Sequence, residues 1–397
     1  MIQENEKINV GHFVREFLTP TETFITNQLK FISEMSDFNP IIFIKAFRKN
    51  YKPKEFYPFL VSDFLNFPAN KIDDAVYKLF RKLSIAGANE IIKKIGSEKI
   101  KILHFHYLVD ARYYLDVIKK TSLPSVVSGY GWDVSYFPKK FNGLGKYYLK
   151  PIFDKIDYFL AMSEDMKNDL INIGCPKEKI LVHYHGIDIN RFISPARTFD
   201  NNDNLRLLFC GRLTYKKGPD ILLKAMKMII DKNMVKNRFH LRIVGDGPMS
   251  EEMKSYIENN NLTDFVTLVG YIQSYNERLL KEYHDADIFI LPSLVPKNIR
   301  IANFDKEGIP GTLVEALAAG LPVVSTYHAG IPEVVKSFEN GLLVEEGNIE
   351  ELAKSISLLI NDKGLRERLG KTAGKEVHKL DIRKKTLELE KIYKSLL

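Results

Sequence analysis

Apolar runs of strand length recur along this chain with helical stretches between many of them: IIFIKAF, IKILHFH, PSVVS, DYFLAMS and KILVHYH, then LRLLFCG, FHLRIVG, DFVTLVG, ADIFILP, PVVST and GLLV. A strand followed by a helix returns parallel to its predecessor, and a parallel sheet needs both faces covered. The alternation therefore restricts the chain to an α/β architecture of doubly wound sheets. At 397 residues the chain exceeds one ordinary domain and suits two, each able to bury a core. The pattern pauses at RFISPARTFDNNDNL, which collects Pro, Asn and Asp and reads as a linker. The expected division is 1–192, 193–375 and a C-terminal helix over 376–397. That helix carries Leu387, Leu389, Ile392, Tyr393 and Leu396 and is expected to pack back on the N-terminal domain. Two Rossmann-like, doubly wound domains facing across a deep cleft would bring strand ends and helix starts to the gap, where such sheets bind ligands.

Composition narrows the class. No apolar run is long enough to cross a bilayer, and MIQENEKINV lacks the basic, apolar, small-residue order of a signal peptide. Cys175 and Cys210 are too few for a disulfide framework, so a reducing cytoplasm is expected. The net charge of +8 invites a negatively charged partner, and much of the excess lies in residues 101–150 of the first domain.

The segment EGIPGTLVEALAAGLPVVS follows the strand ADIFILPS and holds Glu307 and Glu315 with seven residues between them. Pro310 is expected to open a helix over 311–320, because its missing N–H has no partner in a first turn. The amides of Gly311, Thr312 and Leu313, together with the helix dipole, would then suit a phosphate. One carboxylate would stand on the loop and the other a turn into the helix, each able to hold a hydroxyl-bearing group flanking a diphosphate. Standing alone, such a Glu pair reads as a solvated helix face. Further segments join it. FCGRLTYKKGPD puts Arg212 and Lys217 at a strand exit, where they would neutralise a diphosphate. Gly245 and Gly247 in LRIVGDGPM allow a tight turn and close backbone approach. Tyr271 and Ile272, after Gly270, offer an apolar wall for a base, and STYHAGIPEVV brings His328 and Gly330 toward the same place.

In this order the segments resemble the retaining nucleotide-sugar glycosyltransferases of the GT-B family 4, over nearly the whole chain. The form EGIPGTLVEALAAGLPVVSTYHAGIPE is similar to the subset that builds bacterial exopolysaccharide, capsule or lipopolysaccharide. The resemblance implies that Arg212 and Lys217 bind the donor diphosphate, Glu315 the ribose hydroxyls, Glu307 a hydroxyl of the transferred sugar, and the loop at Tyr271 and Ile272 the base. It extends the donor-side set to Gly308, Ile309, Pro310, Gly311 and Thr312. The implied reaction moves a hexose from a nucleotide-diphosphate sugar to a glycan or lipid-linked acceptor, with retention and without cofactor or metal.

The first domain fits the pattern less closely. FLTPTETFITNQ replaces the family's glycine-rich loop, and in SVVSGYGWDVSYFP Tyr130 stands where a His is expected, ahead of Gly131, Trp132 and Asp133. Tyr130 is open to two readings, a hydrogen-bond donor to substrate or a packed aromatic. Asp133, His106 and His185 complete the acceptor-side candidates, with a structural role favoured for His185 and Asp188 in LVHYHGIDINRF. Asp285 and Asp287 imitate a metal-binding DXD pair but read as capping or surface groups between a helix and a strand. Residues 39–71 interleave aromatics such as Phe43, Phe47 and Tyr57 with Lys45, Arg48 and Lys49. They are either core with solvated lysines or a surface for anionic lipid on the cytoplasmic face of a membrane. No nucleic-acid recognition motif is present. Two alternatives remain: a sugar-nucleotide-binding protein without transferase activity, and an epimerase of the same fold, which would need an acid–base pair that the sequence does not display.

Overall fold

A computed structural model describes residues 7–17, 23–47, 65–66, 83–193, 204–274, 276–296 and 305–397. Residues 18–22 of FLTPTETFITNQ, most of the aromatic and basic stretch after Phe47, and 194–203 of the linker lie outside them. Two compact units are present: one comprises 1–186 with 382–397, the other 187–381. The two chain crossings run side by side in the second unit, where the Ile187 amide donates to the Leu380 carbonyl at 3.0 Å.

The first unit holds a seven-stranded sheet of order β3-β2-β1-β4-β5-β6-β7. Its strands are β1 (Ile8–Phe17), β2 (Phe38–Phe47), β3 (Leu65–Asn66), β4 (Ile102–His106), β5 (Ser125–Ser128), β6 (Tyr158–Ala161) and β7 (Ile180–Val182). The second unit holds six strands of order β10-β9-β8-β11-β12-β13. These are β8 (Asn204–Cys210), β9 (Arg238–Val244), β10 (Val266–Gly270), β11 (Ile288–Ile290), β12 (Val323–Thr326) and β13 (Gly341–Val344). All neighbouring pairs are parallel. Both orders turn back once, between β1 and β4 and between β8 and β11. A doubly wound sheet opens at that point, beyond the carboxyl ends of its strands.

With both faces of the sheet covered, every residue of β4 and β5 is buried, the polar His104, His106, Ser125 and Ser128 included. In the first unit Phe13 anchors the core, its ring 4.5 Å from Phe43, 4.7 Å from Phe105 and 5.0 Å from Tyr114. The last helix starts at Ile382, not at 376, because a 3-10 turn over Val377–Leu380 precedes it. It sets Leu389 and Tyr393 among Val10, Ile32, Phe38 and Ile102, each fully buried apolar side chain contributing about 2 kcal/mol. Leu387, two positions from Leu389 and so on another face of the helix, is exposed.

Candidate active site

In the second unit the turn-back point of the sheet gathers the donor-side residues. After β8 the chain passes Arg212, makes a 3-10 turn over Tyr215–Lys217, and enters the helix Pro219–Asp231 through Gly218 at φ +66°. A Cβ on Gly218 would lie 2.1 Å from the Pro292 carbonyl oxygen, so glycine lets this turn press against the exit of β11. The Leu294 amide donates to the Lys216 carbonyl at 2.9 Å and stitches the two exits together.

That contact puts Lys217 Nζ 3.0 Å from Glu307 Oε1, with Lys216 Nζ 3.8 Å from the same oxygen and 2.9 Å from Asp305. Burial opposes a charge on Glu307, but Lys216 and Lys217 outweigh it and hold the carboxyl at about 2. Burial draws the Lys217 ammonium below the usual lysine range; Glu307 opposes this, while Lys216 and Arg212 add to it. Arg212 itself is exposed and makes no ion pair among the described residues. The result is a buried carboxylate too weakly basic to take a proton near neutrality, beside three cations.

The next helix runs Gly311–Ala318, and Pro310, at φ −61° and ψ 122°, is its extended N-cap and not its first helical residue. The helix also ends before Gly320, which sits at φ +70°. The Leu313 amide donates to the Pro310 carbonyl at 3.1 Å. The expected set of three ligand-facing amides therefore reduces to those of Gly311 and Thr312. Gly308 and Ile309 are buried behind them. Glu315 receives a 2.6 Å hydrogen bond from the hydroxyl of Tyr283, which is fully buried. Burial raises Glu315, with Tyr283 and Arg191 pulling the other way, and burial keeps the Tyr283 phenol protonated.

The glycine turn permits a close backbone approach. A Cβ on Gly245 would meet the Gly211 carbonyl oxygen at 1.9 Å, and one on Gly247 the Leu213 carbonyl oxygen at 2.5 Å. The backbone they admit is the loop that carries Arg212, fixed by Leu213 N–H to the Asp246 carbonyl at 3.0 Å. Beyond it the Gly245 amide reaches the Gly270 carbonyl at 2.9 Å, followed by Tyr271, 53% exposed, and Ile272, which is buried. Asp285 pairs with Arg206 and Lys281, and Asp287 accepts from the Arg206 amide. Both precede β11 and so lie at the opposite edge of the sheet.

Four buried side-chain oxygens at this one edge have no hydrogen-bond partner among the described residues: Thr214 Oγ1, Ser293 Oγ, Asp305 Oδ1 and Thr312 Oγ1. Buried polar atoms are nearly always satisfied, and a group of exceptions marks a place built for a polar ligand.

In the first unit Tyr130 and its candidate neighbours also converge. Asp133 is fully buried and accepts from the amides of Leu108 at 2.7 Å and Tyr130 at 3.0 Å. Burial pushes its carboxyl up to about 6 against those hydrogen bonds. Its oxygens hold the Tyr130 turn in place. His106 lies behind Tyr130, with Nδ1 2.7 Å from the phenol oxygen and Nε2 3.1 Å from His12 Nδ1. Phe24 bridges Tyr130 and His185, at 4.7 and 5.5 Å between ring centroids. Tyr107, at φ +78°, packs edge-on to Tyr130; a bulky residue in that region stores strain of the kind found at functional sites.

His12, His104 and His106 bring nitrogens within 4.8 Å of one another. The rings of His104 and His106 are stacked at 10°, however, so their in-plane lone pairs run parallel and do not converge on one ion. His104 is also committed, Nε2 to Ser128 Oγ and Nδ1 to the Tyr393 hydroxyl. Burial lowers all three histidines well below their ordinary range, so the cluster is neutral.

Residues 65–191 match the family model described as Glycosyltransferase Family 4, and residues 190–376 match Glycosyl transferases group 1. Over 206 residues the chain is 36% identical to the putative colanic acid biosynthesis glycosyltransferase WcaL of Escherichia coli, covering 52% of this chain and 48% of that one. The amylovoran biosynthesis glycosyltransferase AmsK of Erwinia amylovora is 33% identical over 270 residues, 68% of this chain and 62% of its own. The chain thus spans about half to three-fifths of the length of these relatives. Among solved structures, Anabaena HepE in complex with UDP superposes with a TM-score of 0.76 at 16% identity, covering 98% of this chain and all of that one. Sucrose-phosphate synthase of Thermosynechococcus elongatus gives 0.78 at 17%, over 98% and 99%. With two adjoining family models matched in register on two sheets of Rossmann order, the chain belongs to the family 4 (group 1) glycosyltransferases of GT-B fold.

Proposed function

We propose that this protein transfers a hexose from a nucleotide-diphosphate sugar to a glycan or lipid-linked acceptor in cell-surface polysaccharide synthesis, with retention and without a metal. The observation that carries this reading is the Lys217–Glu307 pair at the turn-back point of the second sheet, beside Arg212 and the start of the Gly311–Ala318 helix. Lys217, Arg212 and the helix amides suit the leaving diphosphate. Glu315 suits the ribose diol, and Glu307 a hydroxyl of the sugar. The bond from the anomeric carbon to the phosphate oxygen breaks, the acceptor oxygen bonds the same face, and its proton passes to the departing phosphate. A carboxylate held at about 2 is a poor base and a poor nucleophile, which favours this route over a glycosyl–enzyme intermediate and over an epimerase's proton transfer. UDP-sugars are the first donors to try, since HepE is solved with UDP and with UDP-glucose.

A panel of UDP-, GDP- and ADP-sugars, read by nucleotide release and by NMR of the product anomer, tests the proposal. Retained configuration unaffected by chelator supports it. Inversion, or loss in chelator restored by manganese, contradicts the corresponding part.

A peripheral membrane position belongs to the same reading. No described helix is long and apolar enough to cross a bilayer, but Phe141, Leu144 and Tyr147 are 69, 60 and 59% exposed. They stand among Lys139, Lys140, Lys146 and Lys150, and no carboxylate occurs over 134–153. Sedimentation with anionic vesicles that weakens as salt rises supports membrane docking; equal recovery with zwitterionic vesicles contradicts it.

A further inference from the structure

The amides of Val295 and Glu307 are both held by one side-chain pair. The Glu307 amide donates to His328 Nε2 at 3.2 Å, His328 Nδ1 lies 2.7 Å from Glu346 Oε1, and Glu346 Oε2 accepts from the Val295 amide at 2.8 Å. Sheet register fixes the pair. Thr326 of β12 is paired with Val344 of β13, and His328 and Glu346 each follow two residues on. His328 is fully buried. Between His328 and Gly330, Ala329 takes φ +46°, a conformation that costs an alanine about 1 kcal/mol or more. The turn it makes grips the Glu307 segment a second time, through the Gly330 amide and the Gly308 carbonyl at 3.3 Å.

The donors in this chain leave one protonation state. A backbone amide can only donate, so His328 Nε2 must offer a lone pair, and the ring must carry its proton on Nδ1 and give it to Glu346. An imidazolium would set N–H against N–H at Glu307. We propose that His328, oriented by Glu346, is the positioning residue for Glu307: a neutral Nδ1–H imidazole that fixes where the sugar-binding carboxylate stands relative to Lys217. The inference rests on the role given to Glu307 above. The described contacts of His328 lead to the Glu307 amide, so its effect is expected on the sugar and its transfer and not on the nucleotide.

Two amide replacements separate the two nitrogens. In His328→Gln the side-chain carbonyl reaches the Nε2 position and still accepts from Glu307. In His328→Asn the amide reaches only the Nδ1 position and still donates to Glu346. The test measures kcat and KM on the sugar nucleotide that wild type turns over fastest, UDP affinity by calorimetry, and the melting temperature of each variant. We expect kcat to fall about 10- to 100-fold in His328→Asn, the range for groups that orient a functional ligand, with UDP affinity unchanged. His328→Gln should recover most of it. Equal losses in both variants, a loss that follows UDP affinity or melting temperature, or wild-type rates in His328→Asn would overturn the proposal. A readout independent of turnover is the 15N shift of the His328 ring in the wild-type protein. The Nδ1-protonated tautomer is expected, and the Nε2-protonated one overturns the proposal even if no sugar nucleotide is turned over. Absence of turnover in wild type with the expected tautomer counts against the transferase reading and not against the placing of Glu307 by His328.

Discussion

Replacing Tyr283 with Phe removes one oxygen from a fully buried ring, and its consequence can be worked from the geometry. The Tyr283 hydroxyl is 2.6 Å from Glu315 Oε2, a short bond from a neutral donor to a carboxylate. Such a bond contributes about 1.5–3 kcal/mol. Glu315 already lies above the ordinary glutamate range because burial disfavours its charge, and Tyr283 is one of two groups resisting that rise. Losing it favours the protonated carboxyl further, in the direction in which burial already pushes it. The sign follows. Ribose hydroxyls need an ionised acceptor, so nucleotide binding weakens as pH falls through the Glu315 value, and in Tyr283→Phe the acid limb moves upward. Calorimetric titration with UDP from pH 5.5 to 8.5 reads this directly. The variant should come within a few-fold of wild type at the alkaline end and fall about tenfold or more behind it at the acid end. Two parallel curves at any offset would refute Glu315 as the titrating ribose ligand, and an unchanged curve would refute the importance of the hydrogen bond.

Other consequences are equally definite. Gly218→Ala places a Cβ 2.1 Å from the Pro292 carbonyl oxygen at a positive φ. It should destabilise the protein by at least about 2 kcal/mol in urea unfolding and weaken UDP binding by separating Lys217 from Glu307; a neutral outcome would show that the two strand exits are not rigidly joined. For Asp133, whose folded value of about 6 stands above the ordinary 3.8, ionisation works against the fold. Wild-type stability relative to Asp133→Asn should therefore decrease as pH rises from 4 to 7, by up to about 3 kcal/mol. A difference that stays flat with pH contradicts the burial argument.

Strand positions and the donor-side residues could be read from the sequence because each rests on local chemistry. Runs such as LRLLFCG and ADIFILP have few other stable uses; Lys217 follows the exit of β8 at short range, and Glu307 and Glu315 flank the start of one helix. What escaped reading depends on contacts between distant segments. Tyr283 looks like an ordinary apolar position of the helix Glu277–Asp285, and nothing nearby announces that its hydroxyl serves Glu315, 32 residues on. Lys216 is indistinguishable from Lys217 until the turn is built. Gly245 and Gly247 are a site of close backbone approach, and the segment they admit, the Arg212 loop, is not legible from the turn itself. Pro310 resembles a first-turn proline in sequence, but ψ 122° keeps it one residue outside the helix. On the acceptor side His106 is a candidate from the sequence, but its contact with Tyr130, and those of His12 and Phe24, from β1 and the helix Thr23–Met35, arise only through sheet order.

The central claim is that Glu307 serves the transferred sugar while the groups around it hold the nucleotide. Glu307→Ala, assayed for transfer with the best sugar nucleotide and for UDP affinity on the same preparation, tests it most directly. The account predicts loss of transfer with the fold intact and UDP still bound; near-normal turnover would contradict it.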